Sequence, residues 1–218
     1  MKQHFSTQSG NAIISDLIYI IISNREYLSD IDGAIGDGDH GINMSKGFAM
    51  CGDAIKGKTL TLAEGFDAIS DALMEGIGGS MGPLYGSFFL GMANSVRGKD
   101  VLNEEDFHHM LENGLSELQD ISSAKVGDKC LMDSLIPAVH AFGDAVNQGA
   151  SFEEALSTMK VAAQQGRDST LDLVSKIGRS SRLGERSRGV LDAGATSCCL
   201  LLCQMADSVN AQLNPVPA

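Results

Sequence analysis

Apolar residues recur at steps of three and four along most of the chain. Ile14, Leu17, Ile18, Ile21 and Leu28 form one such stripe, and Cys198, Leu202, Met205 and Val209 form another near the end. Each is the buried face expected of an amphipathic helix. Comparable stretches lie at 41–56, 60–77, 83–97, 104–121, 132–147 and 151–176, set apart by glycine-containing breaks. The pattern predicts eight helices. No sustained alternation, β-branched enrichment or hairpin dipeptide marks a strand, so the fold class is all-α. Short connections make sequential helices antiparallel, and eight of them build an up-and-down barrel or bundle. No linker, low-complexity tract or repeat divides the 218 residues, which are read as one domain over 1–218.

The order of the loops carries the next step. Glycine-rich segments at 33–41, 76–82, 127–130 and 178–194 follow the first, third, fifth and seventh predicted helices. In an up-and-down arrangement alternate loops share one end, so these four are expected to form a single site there.

Charge narrows what that site holds. The net charge of −12 opposes a general affinity for nucleic acid or anionic membrane and suits a cationic cofactor. The five cysteines include no CxxC pair, and Cys198, Cys199 and Cys203 fall in one apolar stretch, which points to a reducing cytoplasm. The apolar run Ala12–Ile22 is interrupted by Ser15 and Asp16 and is too short to span a bilayer. Neither export nor membrane insertion is expected.

Four segments carry candidate chemistry. In DGAIGDGDHG, residues 32–41, Asp32, Asp37 and Asp39 sit among Gly33, Gly36, Gly38 and Gly41. Carboxylates this close repel one another unless a cation lies between them, and hard oxygen donors select Mg²⁺ or Ca²⁺. Counting from Asp37, an EF-hand would need an oxygen ligand at Gly41 and a Glu at Phe48, so Mg²⁺ is the better match. Taken alone, the segment also fits a solvated acidic turn, and His40 fits a polar cap on the next helix. In GGSMGPLYG, residues 78–86, glycines and Ser80 precede a helix expected near Pro83, the arrangement of a phosphate-binding helix start or of a plain helix–helix turn. The third segment is GDKCLMDSLIP, residues 127–137. In the fourth, residues 178–197, Arg179, Arg182, Arg186 and Arg188 alternate with glycines, as a basic lid over a polyphosphate would require. A solvated connection is the plainer reading of such a run.

A rival motif lies elsewhere. GDAIKGKT, residues 52–59, satisfies the Walker A pattern. A P-loop needs a buried strand feeding it, whereas the preceding residues read as a helix. The segment is expected to be an exposed inter-helix loop with Lys58 solvated.

Together, and in order, the four segments resemble the ADP-binding L subunits of bacterial dihydroxyacetone kinases and the nucleotide domains of their ATP-dependent relatives. The resemblance implies an eight-helix barrel with the nucleotide at one end, its phosphates joined to two Mg²⁺ ions held by Asp32, Asp37 and Asp39. His40, Gly41, Ile42 and Asn43 would border the nucleotide, Ser80 and Met81 its phosphate and base side, and Gly127 and Met132 the adenine pocket. Arg179, the candidate catalytic residue, and the Asp192, Ala193, Gly194 turn would belong to the lid, where some relatives carry Asp-Pro-Gly. It further implies an ADP/ATP cofactor recharged in place by a phosphohistidine-carrying M subunit, with the γ-phosphate passing to dihydroxyacetone on a K subunit. No segment resembles either partner, and a homodimer is compatible. Two alternatives share these motifs: an ATP-exchanging kinase subunit for another small ketose or acceptor, and a nucleotide-sensing regulatory module.

Overall fold

A computed structural model describes residues 3–215; residues 1–2 and 216–218 of the expected 1–218 span lie outside the described residues. Helices dominate, in the order α1 (Gly10–Ser23), α2 (Arg25–Ile35), α3 (His40–Ile55), α4 (Leu62–Gly76), α5 (Met81–Val96), α6 (Glu104–Ile121), α7 (Met132–Asn147), α8 (Phe152–Ser169) and α9 (Ala193–Asn210). From α3 to α9 each helix packs on its sequence neighbour, and α1 closes the ring by packing on both α9 and α3. The all-α barrel expected from the hydrophobic pattern is the fold observed.

The differences from the sequence reading are local. The first predicted helix is broken at Asn24, so that α2 is a separate helix packed on α3 and α9. Asn24 lacks helical dihedrals (φ −103, ψ 16) and turns its amide back to the Ile20 carbonyl at 2.8 Å. The helix expected to 176 ends at Ser169, where the Ser169 and Thr170 hydroxyls take carbonyls of the final turn. Three short strands escaped the pattern: β1 (Gln3–Ser6) lies between β2 (Val101–Leu102) and β3 (Asn214–Pro215), antiparallel to both. Runs of two to four residues are too short to show alternation. The sheet plugs one end of the barrel through Phe5, whose ring meets Phe107 at 6.4 Å and Phe152 at 6.1 Å.

That plugged end is also where α4, α6 and α8 begin, and each start is closed by a reciprocal capping box: Thr61 with Glu64, Asn103 with Asp106, Ser151 with Glu154. Each cap satisfies helix N–H groups and is worth about 1 kcal/mol. At the opposite end α3, α5 and α7 begin with no side-chain cap. The asymmetry leaves helix N–H groups available where the four glycine-rich loops meet.

Helices α7 and α8 approach closely at Gly166, where a Cβ would lie 2.0 Å from the Asp133 carbonyl oxygen. Pro137, four residues on, has no N–H to offer that carbonyl. Gly166→Ala is expected to force the two helices apart and to lower stability by about 1–3 kcal/mol in urea unfolding; an unchanged midpoint would contradict this packing.

Candidate functional site

The acidic segment is more helical than its glycines suggest. Asp32 lies in the last turn of α2, the Gly36 N–H bonds the Asp32 carbonyl at 2.6 Å, and only residues 36–39 separate α2 from α3. Gly38, at φ 77, supplies the left-handed turn. Asp32 Oδ2 accepts the His40 N–H at 3.2 Å and Asp37 Oδ1 that of Asp39 at 3.5 Å. These bonds aim the side chains of Asp32, Asp37 and Asp39 so that one oxygen of each lies within 4.8 Å of the others. A cluster of hard, partly solvated carboxylate oxygens fits Mg²⁺. Arg179 reaches it from the far segment, pairing with Asp37 and, at 3.6 Å, with Asp39.

The other arginines of that segment behave differently. Arg188 bonds Glu185 at 3.0 Å and the Asp172 carbonyl, while Arg182 and Arg186 face solvent. The segment is a 3-10 helix over Arg179–Ser187, broken at Gly184 (φ 55).

His40 opens α3 yet turns inward. Its Nε2 meets Ser197 Oγ at 2.9 Å, and Ser197 Oγ lies 2.7 Å from the Tyr85 hydroxyl, which donates to the Gly194 carbonyl at 3.3 Å. The chain ties α3, α5 and α9 together behind the acidic cluster. Burial raises the Tyr85 hydroxyl above its usual range and lowers His40 to about 4. His40 is therefore neutral at pH 7 and takes no proton from the site. Burial likewise pushes the Asp192 carboxyl up to about 7, opposed by the Ala195 N–H it accepts at 2.7 Å as the cap of α9.

A cavity of about 460 Å³ opens among these loops. Asp32, Asp37, Asp39, His40, Asn43, Ser80, Met81, Met132, Arg179, Asp192, Ala193 and Gly194 all line it, so residues from all four glycine-rich regions meet there. Apolar side chains of Leu84, Leu118, Ile121 and Leu131 share the wall, offering a surface for a flat ring beside the acidic one. Three of the expected residues are not part of the lining. Gly41 lets α3 meet α2, since a Cβ there would lie 2.0 Å from the Arg25 carbonyl; Ile42 is 47% exposed; and Gly127 gives its N–H to Asp133 at 2.6 Å. The 52–59 segment begins in the last turn of α3 at the plugged end, with Lys58 exposed and a helix, not a strand, leading into it.

Sequence reasoning missed Tyr85, Ser197, Asp133 and Lys129. Asp133 accepts the N–H groups of Gly127 (2.6 Å) and Cys130 (2.7 Å), fixing the α6–α7 loop. Lys129 is buried at φ 63, a left-handed conformation that disfavours a side chain by about 1–2 kcal/mol. The signal was the Gly-Asp-Lys sequence at a helix start, with charged residues where an exposed turn would be unremarkable.

The DAK2 domain model matches residues 34–207. The chain belongs to the DAK2 domain family. It is 36% identical over 194 residues to the ADP-binding subunit DhaL of PEP-dependent dihydroxyacetone kinase 2 from Listeria innocua, covering 87% of this chain and 89% of that one. To the ADP-binding subunit DhaL of the Escherichia coli PEP-dependent kinase it is 32% identical, covering 86% and 90%. The native dihydroxyacetone kinase of C. freundii shares the fold, with a TM-score of 0.70 and 24% identity over 94% of this chain. This DAK2 domain spans 35% of that longer protein. Among the described residues no helix is long and apolar enough to cross a membrane.

The buried imidazole makes the fold acid-sensitive in a defined window. Because His40 is held at about 4 against an ordinary 6.5, the unfolded chain takes up a proton that the folded chain refuses. Its contribution to stability is intact above pH 6.5 and is lost as pH falls toward 4. The loss by about pH 4.5 is about 2–3 kcal/mol. Chemical denaturation in EDTA at neutral and acid pH should show that part of the loss in the wild type and not in His40→Gln; equal losses would contradict the assignment.

Proposed function

We propose that this chain is the nucleotide-binding, phosphoryl-transferring subunit of a dihydroxyacetone kinase. One observation carries the reading: an acidic cluster and three uncapped helix starts face a single cavity large enough for a nucleotide. Helix N-termini present N–H groups and the positive end of the dipole to anions, and clustered carboxylates require a cation. A magnesium–polyphosphate satisfies both. The names of the ADP-binding relatives support the same cofactor.

In this reading Asp32, Asp37 and Asp39 hold magnesium, as two ions, and the metal supplies neutralisation of phosphate charge. Asn43, Ser80 and Met81 border the nucleotide, and the amides of Gly78 to Ser80 cradle the transferring phosphate. Met132 and its apolar neighbours take the adenine. The 178–194 segment is a lid, and Arg179 is the catalytic residue, moving its guanidinium charge from the carboxylates to the phosphoryl group in flight. The neutral His40 keeps the lid turn seated through Ser197 and Gly194.

Bound ADP would serve as a resident phosphate carrier, recharged by a phosphohistidine-carrying M subunit and discharged to dihydroxyacetone on a K subunit. Asp32, Asp37 and Asp39 would hold its magnesium, and Arg179 with the Gly78 to Ser80 amides would hold its phosphates. The chain supplies positioning and charge, which suffices for a loose phosphoryl-transfer transition state. The reaction takes place in the cytoplasm.

Denaturing the purified protein is expected to release ADP together with magnesium. An empty site that exchanges ATP freely would contradict the resident-cofactor reading, and reconstitution with K and M subunits that gave no flow of phosphate to dihydroxyacetone would leave only a sensor. Asp37→Ala is expected to weaken magnesium-dependent ADP binding beyond the roughly 10- to 100-fold effect of losing an outer-shell partner, while Lys58→Ala leaves it unchanged. The reverse pattern would place the nucleotide at the 52–59 loop instead.

A further inference from the structure

Lys129 takes no part in the contacts above, although its loop forms one wall of the cavity. It is 1% exposed. Its Nζ donates to the carbonyl oxygens of Thr170 (2.7 Å), Leu173 (3.2 Å), Ser187 (2.7 Å) and Val190 (2.6 Å). Four acceptors around three N–H bonds make a cage of backbone dipoles in which one donor is shared. Among the described residues Lys129 forms no direct ion pair; the carbonyl dipoles surround its charge, and the more distant carboxylates of Asp192, Asp133 and Asp172 favour it.

The acceptors lie on both arms of one segment. Thr170 and Leu173 follow α8, whereas Ser187 and Val190 precede the Asp192 cap of α9. Between the arms runs the excursion that carries Arg179 to the acidic cluster. Neighbouring bonds join the same arms: the Ser175 N–H to Ser187 Oγ at 2.9 Å, the Gly189 N–H to the Leu171 carbonyl at 2.8 Å, and the Asp192 N–H to Thr170 Oγ1 at 3.0 Å. A second link to the Lys129 loop runs from the Lys176 N–H to the Asp128 carbonyl at 3.1 Å.

We propose that Lys129 is a positioning residue for phosphoryl transfer, an internal ammonium that clamps the two arms of the 170–192 segment and thereby sets Arg179 and Asp192 against the nucleotide. The proposal rests on the magnesium–nucleotide reading of the site. All four acceptors belong to the segment that follows α8, so the clamp acts on that segment and not on the ring of α1 to α8. The left-handed backbone at Lys129 fits this account, because such a conformation persists where the surroundings over-determine it.

The test compares wild type with Lys129→Met, which keeps the side-chain length without its donors, and with Lys129→Gly, which opens the cage to added n-butylammonium. Affinity for Mg²⁺–ADP is read by calorimetry and segment order by hydrogen exchange. Lys129→Met is expected to lose about 10- to 100-fold in affinity, as outer-shell partners do, with faster exchange confined to 170–192. In Lys129→Gly, n-butylammonium is expected to restore both readouts and n-butanol neither. Wild-type affinity in folded Lys129→Met, exchange that rises equally through α1 to α9, or failure of both variants to fold with or without the amine would each overturn the proposal. If the wild type itself does not bind Mg²⁺–ADP, the site reading falls and takes the positioning role with it; if only the variants match wild type, the Lys129 inference falls alone.

Discussion

Three carboxylates within 4.8 Å of one another at the mouth of a barrel repel, and the arrangement around them is what makes that repulsion tolerable. Arg179 brings one positive charge from another loop, and the starts of α3, α5 and α7 turn the positive ends of their dipoles toward the same cavity. Those positive groups can also receive phosphates, and the carboxylates can receive magnesium. A charge distribution awkward by itself is the complement of a magnesium–polyphosphate, and the neutral His40 adds no competing proton close by.

The two barrel ends divide the work of stability and function. At the plugged end, capping boxes close α4, α6 and α8, and Phe5 carries a small sheet into an aromatic cluster with Phe107 and Phe152. At the open end α3, α5 and α7 go uncapped, glycines permit tight turns, and order comes from longer-range bonds: His40 through Ser197 to Tyr85, Asp133 to its own loop, and Lys129 to the segment after α8. Such bonds can hold a site in place while leaving its N–H groups free for a ligand.

Much of this was legible in the sequence because it depends on local spacing. Helices of about four turns write their period of 3.6 plainly, and once the helices are counted, the parity of the loops puts Asp37, Ser80, Met132 and Arg179 at one end. Three things were hidden. Asn24 ends α1 through a side-chain bond that neither Gly nor Pro announces, and so Asp32 was read as a loop residue although it lies on α2. Strands of two to four residues fall below the length at which alternation can be seen. Lys129, Tyr85 and Ser197 act through partners up to 157 residues away, a relation that no local pattern encodes. Gly41 and Gly127, expected beside the nucleotide and its adenine, serve helix contact and loop bonding outside the lining of the cavity.

The most direct test of the central claim is anomalous diffraction from crystals of the protein grown with Mn²⁺ and ADP. The account expects manganese bound by Asp32, Asp37 and Asp39, with the diphosphate between the metal and the starts of α3 and α5 and the adenine against Met132 and Leu118. Manganese away from these carboxylates, or a nucleotide seated at the 52–59 loop, would contradict it.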